Sequence, residues 1–135
     1  MGSVSELSLQ LESRNGVARI AIDGELDLAS ASTLDASIAE AERGGPSTIV
    51  LDLNNVSFID CSGLDVLLRA WEDAAANGHT LLLFGADRAA QRLFQLTGTG
   101  FLMEQAHVGE TLARSLGGEH GLPAAPRSSG RFARG

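Results

Sequence analysis

Residues 49–68 read IVLDLNNVSFIDCSGLDVLL, and the change of pattern part-way through this stretch decides the fold. Residues 48–53 are almost unbroken β-branched residues and leucine, as expected of a strand covered on both faces. A short polar step, Asn54-Asn55, leads to Val56-Ser57-Phe58-Ile59 and then to the turn Asp60-Cys61-Ser62-Gly63. Beyond the turn the period becomes helical. Leu64, Leu67, Leu68, Trp71 and Ala75 follow one another at helical spacing and predict a buried stripe, with Asp65, Arg69 and Asp73 on the opposite face. Asn77-Gly78 closes that helix.

Working outward, the N-terminal side opens with a hairpin. Leu7, Leu9 and Leu11 alternate with polar residues, Asn15-Gly16 supplies two positions that tolerate positive φ, and Ala18, Ile20 and Ile22 alternate again. The polar, turn-like segment Asp23-Gly24-Glu25-Leu26-Asp27 then leads into a helix with Leu34, Ile38 and Ala41 on one face, ended by Gly44-Gly45-Pro46. On the C-terminal side, residues 79–84 predict another buried strand. A helix follows with Ala90, Leu93, Phe94 and Thr97 inward and Gly98 as its cap, and Val108, Leu112 and Leu116 mark a last short helix. A hairpin followed by alternating helices and strands implies an α/β domain over residues 5–116, with a mixed sheet of about four to five strands and helices packed against it. Residues 117–135, GGEHGLPAAPRSSGRFARG, hold too few apolar side chains to offset the entropy of ordering and are expected to form a disordered tail.

Composition narrows the function. The chain has 135 residues, enough for one domain, and its hydrophobic share of 44% provides for a core. With aromatics at 4% and no tyrosine, that core must be aliphatic. A net charge of −7 argues against nucleic acid, whose phosphates need clustered cations, and favours steering toward a basic patch on another protein. Cys61 is the one cysteine, so no internal disulfide can form. The first residues lack the pattern of a secretory signal, and no apolar run approaches the roughly 20 residues that cross a bilayer, so a cytoplasmic location without membrane insertion is expected.

The chemistry concentrates at the strand-to-helix turn. Ser62 occupies the expected N-cap position, with Asp65 three residues on in a capping-box arrangement. A hydroxyl there lies at the positive end of the helix dipole, so a phosphate added to it would be held by the first-turn amides. Ser62 has two readings, a phospho-acceptor and a plain cap. Cys61 reads as a small buried packing residue, with a redox role as the alternative if it is exposed. Asp60 serves either as a negative flank of the acceptor or as a charge favoured by the dipole, and Asp23 and Asp27 are turn formers or contact surface. His79, His107 and His120 are scattered without metal spacing, and neither a G-x-S-x-G elbow nor a phosphate loop is present, so no catalytic residue, metal or cofactor is expected.

The segment Asp60-Cys61-Ser62-Gly63-Leu64, between an apolar strand and an apolar helix, resembles the signature of STAS domains, specifically the bacterial anti-sigma-factor antagonists. Asp23-Gly24-Glu25-Leu26-Asp27 is similar to the family's early loop, and Leu93-Phe94-Gln95-Leu96-Thr97-Gly98 to its late helix and cap, so the resemblance spans roughly residues 7–116. It implies the STAS fold and a partner-switching cycle. The unphosphorylated antagonist binds an anti-sigma factor of the serine-kinase type and frees a sigma factor; the kinase phosphorylates the antagonist and breaks the complex; a phosphatase restores it. Partner contacts are then expected at Asp23, Gly24, Asp27, Asp60, Cys61, Ser62, Gly63 and Leu64. One departure stands out: the family's acceptor directly follows the Asp, where this chain has Cys61, with Ser62 next. Either Ser62 is the acceptor or phosphorylation does not regulate this chain. The alternative function is that of a STAS subunit in an ABC-type membrane transport assembly.

Overall fold

The computed structural model describes residues 7–117. Strands β1 (Ser8–Arg14) and β2 (Val17–Leu26) pair antiparallel. They are joined by Asn15 and Gly16 at φ 54° and 81°, the two positive angles that a two-residue hairpin turn requires. Strand β3 (Thr48–Ile59) pairs parallel to β2, and β4 (Thr80–Phe84) parallel to β3. The order β1-β2-β3-β4 gives a mixed sheet of four strands.

Both faces of the sheet are covered, which explains the unbroken hydrophobicity of β3. Ile49, Leu51 and Leu53 join Ala18, Ile20 and Ile22 in the main core, together with Leu34, Ile38 and Ala41 of α1 (Ala31–Arg43). Leu64, Val66, Leu67, Ala70 and Ala74 of α2 (Cys61–Ala76) and Ala90 and Phe94 of α3 (Arg88–Leu96) complete that side. Val50 points the other way, toward Phe84 and Ala113, under α4 (Ala106–Gly117). Asp52, on the same face as Val50, is also buried but not alone. Arg19 on β2 donates to its Oδ2 at 2.7 Å and to Glu12 on β1 at 2.9 Å, a charged ladder across three strands.

Several expectations are corrected. Asn54-Asn55 does not interrupt the strand: β3 runs through it for 12 residues. Asp23 to Leu26 are not a loop but the end of β2, which accompanies β3 by means of two register irregularities, between Ala21 and Asp23 and between Gly24 and Glu25. On α2 the buried stripe includes Gly63, Val66, Ala70 and Ala74, while Trp71 and Ala75 face outward. Small residues let the helix lie close to the sheet, and Trp71 instead packs at a tilt against Phe101 of a 3-10 turn (Gly100–Met103), ring centroids 5.2 Å apart. Thr97 is likewise exposed, its hydroxyl donating to the Leu93 carbonyl at 2.8 Å, and Thr99 is the buried threonine. The expected tail, residues 117–135, lies outside the described residues save for Gly117, which ends α4. Among the described residues no helix is long and apolar enough to cross a membrane.

Candidate functional site

The parallel ends of β2 and β3 bring two distant segments together. Leu26 pairs with Ile59, and the Leu26 carbonyl accepts a hydrogen bond from the Asp60 amide at 3.3 Å. The start of α2 then presses onto the same point. A Cβ on Gly63 would lie 2.1 Å from the Leu26 oxygen, so only glycine permits this approach. The result is a shared corner formed by Leu26-Asp27-Leu28 on one side and Asp60-Cys61-Ser62 on the other.

The cap at this corner is Asp60, not Ser62. Asp60 has extended backbone angles, and its Oδ1 accepts from the Gly63 amide at 2.9 Å, so Ser62 falls inside the first turn and Asp65 is not its capping partner. The cap position is set by where β3 stops, because Asp60 is still tied to Leu26. Ser62 is half-buried, and its hydroxyl makes no hydrogen bond among the described residues. The amides of Cys61 and Ser62 have no preceding carbonyl within the helix to bond. An anion on this turn would therefore meet available donors and the positive end of the dipole.

Across the corner, Asp27 caps the 3-10 turn Leu28–Ser30. The Ser30 amide donates to Asp27 Oδ1 at 3.1 Å and the Asp27 amide donates to Ser30 Oγ at 2.9 Å. Ser30 Oγ also donates to the Glu25 carbonyl at 3.0 Å, which stiffens the approach to α1.

The expected site residues separate into groups. Asp27, Asp60, Cys61 and Ser62 meet at the corner. Cys61 is exposed, not the buried packing residue expected of a lone cysteine, because the first helical position after the cap points away from the sheet. Gly63 and Leu64, expected at the contact surface, are buried and hold the helix in place. Asp23 and Gly24 lie back along β2, opposite Asn55 and Val56, roughly 10 and 7 Å from Leu26 at the usual rise of a strand. Two residues were missed: Leu28 is 76% exposed and Phe58 is 52% exposed. Phe58 shares the parity of buried Val56, so alternation places it inside, and no periodic signal marks either residue.

A family model described as STAS domain matches residues 8–115. The chain belongs to the STAS domain family. Over 72 residues it is 34% identical to the anti-sigma-F factor antagonist RsfB of Mycobacterium tuberculosis, a match covering 53% of this chain and 59% of that one. It thus spans less than two thirds of that relative's length. Over 104 residues it is 27% identical to the anti-sigma-B factor antagonist of Staphylococcus aureus, covering 77% of this chain and 94% of that one. The crystal structure of an anti-sigma factor antagonist from Mycobacterium paratuberculosis superposes with a TM-score of 0.67 at 23% identity, covering 81% of this chain and 95% of that one. In this STAS domain the Asp60 cap and the Gly63–Leu26 approach both lie within the matched residues, as does the Leu28–Ser30 turn.

Proposed function

We propose that this STAS domain is an anti-sigma-factor antagonist. It binds an anti-sigma factor of the serine-kinase type through the corner around Ser62, frees a sigma factor, and is switched off by phosphorylation of Ser62 and restored by a phosphatase. It acts as ligand and substrate, not as catalyst. The antagonist names of its relatives favour this role. The observation that carries it is the Ser62 hydroxyl, unbonded on the first turn of α2, at a corner whose two contributing segments also carry the exposed side chains of Leu28, after Leu26, and Phe58, before Ile59. Exposed apolar side chains beside a polar centre are the usual make-up of a protein contact. Asp27, Asp60 and Cys61 form the rest of the contact, with Asp23 and Gly24 at its outer margin.

Phosphorylation breaks no existing hydrogen bond of Ser62, and the first-turn amides accommodate the product, so the fold survives it. The added charge of about −1.5 to −2 beside Asp60 repels a partner surface shaped for a neutral hydroxyl. The test compares three variants against purified kinase-type anti-sigma factors of the source genome. Ser62→Asp is expected to stay folded and lose binding. Ser62→Ala is expected to bind yet take no label from radioactive ATP. Cys61→Ala is expected to be labelled as the parent is, because the thiol is not the acceptor. Peptide mapping of the label to another residue, or no label from a kinase active on a second substrate, overturns the assignment of Ser62.

A further inference from the structure

We infer that the docking face continues from the Ser62 corner over the end of β3 onto α3, and that what it receives there is an acidic segment of the partner carrying an aliphatic side chain. The inference rests on the binding role proposed above and specifies what the partner presents.

Beside Phe58, a cleft of about 110 Å³ opens between β3 and α3, walled by Leu53, Val56, Ala86 and Ala90. Its rim reaches Ile59, the residue before the Asp60 cap, and so joins the corner directly. On its other side the rim is Ala89. That residue also borders a second, shallower depression of about 430 Å³ on α3, lined by Arg88, Gln91, Arg92 and Gln95. A single surface therefore runs from Asp60 past Phe58 and Ala89 to Arg92, apolar at one end and cationic at the other.

Neither arginine of this depression has an ionic partner in its own fold among the described residues. Arg88 and Arg92 are exposed and stand four apart on one helix. Like charges at this spacing repel, and Arg88 lies in the first turn, where the dipole disfavours a cation. The neighbouring Asp87 is committed elsewhere, its Oδ1 accepting from the Ala90 amide at 2.8 Å. Other arginines are differently placed: Arg19, Arg69 and Arg114 pair with carboxylates, and Arg43 sits in the last turn of α1, where the dipole favours it. In a chain with 17 acidic residues against 10 arginines, two adjacent unpaired guanidinium groups are matched to charge outside the molecule. The adjoining cleft is lined mostly by apolar residues, with Ser57 and Asp87 as its polar members, and takes an aliphatic side chain. A protein segment satisfies both ends of this surface, whereas a nucleic acid would use only the cationic one and leave the cleft beside Phe58 unfilled.

The test measures affinity and association rate of the full chain with the same purified anti-sigma factors. The double charge reversal Arg88→Glu with Arg92→Glu is expected to weaken binding by about tenfold or more and to abolish the fall of the association rate with salt. Phe58→Ala is expected to slow nothing but to speed dissociation several-fold. Thermal unfolding of each variant checks the fold; should the reversal unfold, Arg88→Gln with Arg92→Gln is expected to flatten the salt dependence on its own. Retained affinity and salt dependence in the double variant, while Ser62→Asp still abolishes binding, overturns this inference and leaves the binding role standing. No binding by the parent chain overturns both. A parent chain that self-associates, with the double variant monomeric, assigns the surface to a second copy and likewise overturns the inference.

Discussion

Gly63 shows how one residue holds the site. Its missing side chain lets the first turn of α2 rest on the Leu26 carbonyl, and this fixes the distance between the Asp27 and Asp60 sides of the corner. Gly63→Ala would place a methyl group 2.1 Å from a backbone oxygen, which has no rotamer with which to yield. The variant is expected to lose about 3 kcal/mol, the upper end for overpacking, read from urea unfolding. A loss below about 1 kcal/mol would mean that helix and strand do not stay in contact in solution. Asp60 acts beside it as the acceptor for the Gly63 amide, so the residue that makes the approach possible is also the one that is capped.

Among the elements, β3 organises the molecule, pairing on both edges and covered on both faces. Its one buried charge, Asp52, is tolerated because Arg19 meets it at 2.7 Å while Asn54 donates to its other oxygen from the backbone amide at 3.0 Å and from the side chain at 2.7 Å. Burial acts to lower the Arg19 pKa, but the hydrogen bonds and charges of Asp52 and Glu12 outweigh it and leave that pKa raised above its ordinary value. A raised pKa in a cation means stability that is present below the unfolded pKa and lost only far into the alkaline range, so Arg19 is charged at every working pH. Asp52→Ala removes the more buried of its two partners and leaves a largely buried guanidinium held by Glu12 alone. A loss of roughly 2–3 kcal/mol is expected, somewhat below that for a fully buried pair because Arg19 keeps contact with water. Chemical denaturation measures it, and an unchanged midpoint would show the ladder to be dispensable.

At the scale of the whole molecule, the main core and the smaller one under α4 are assembled from residues 18–113. Together with the composition change at Gly117-Gly118, this leads us to propose that residues 5–116 fold as one domain without the remainder. A chain ending at Leu116 is expected to keep the parent's thermal midpoint within about 2 °C, less than the 4–8 °C that 1 kcal/mol produces in a domain of this size. A larger fall would place packed structure beyond that point.

The element order, the hairpin and the four helices that pack on the sheet were legible in the residues alone, because they follow from local period and from turn residues. Asn15-Gly16 admits one kind of turn, and Leu34, Ile38 and Ala41 lie on one face of any helix they form. Which residue caps α2, which side of that helix is buried and which apolar side chains stay outside depend instead on contacts between segments far apart in the chain. Asp60 became the cap because β3 runs on beside β2 as far as Ile59, a pairing between residues more than 30 apart in the chain. Trp71 turned outward because a helix that approaches the sheet through Gly63, Ala70 and Ala74 has no room for an indole beneath it. Phe58 stayed exposed although its parity matches that of Val56, because burial depends on what lies above a strand, and past Val56 the cover beside α3 gives way to an open cleft.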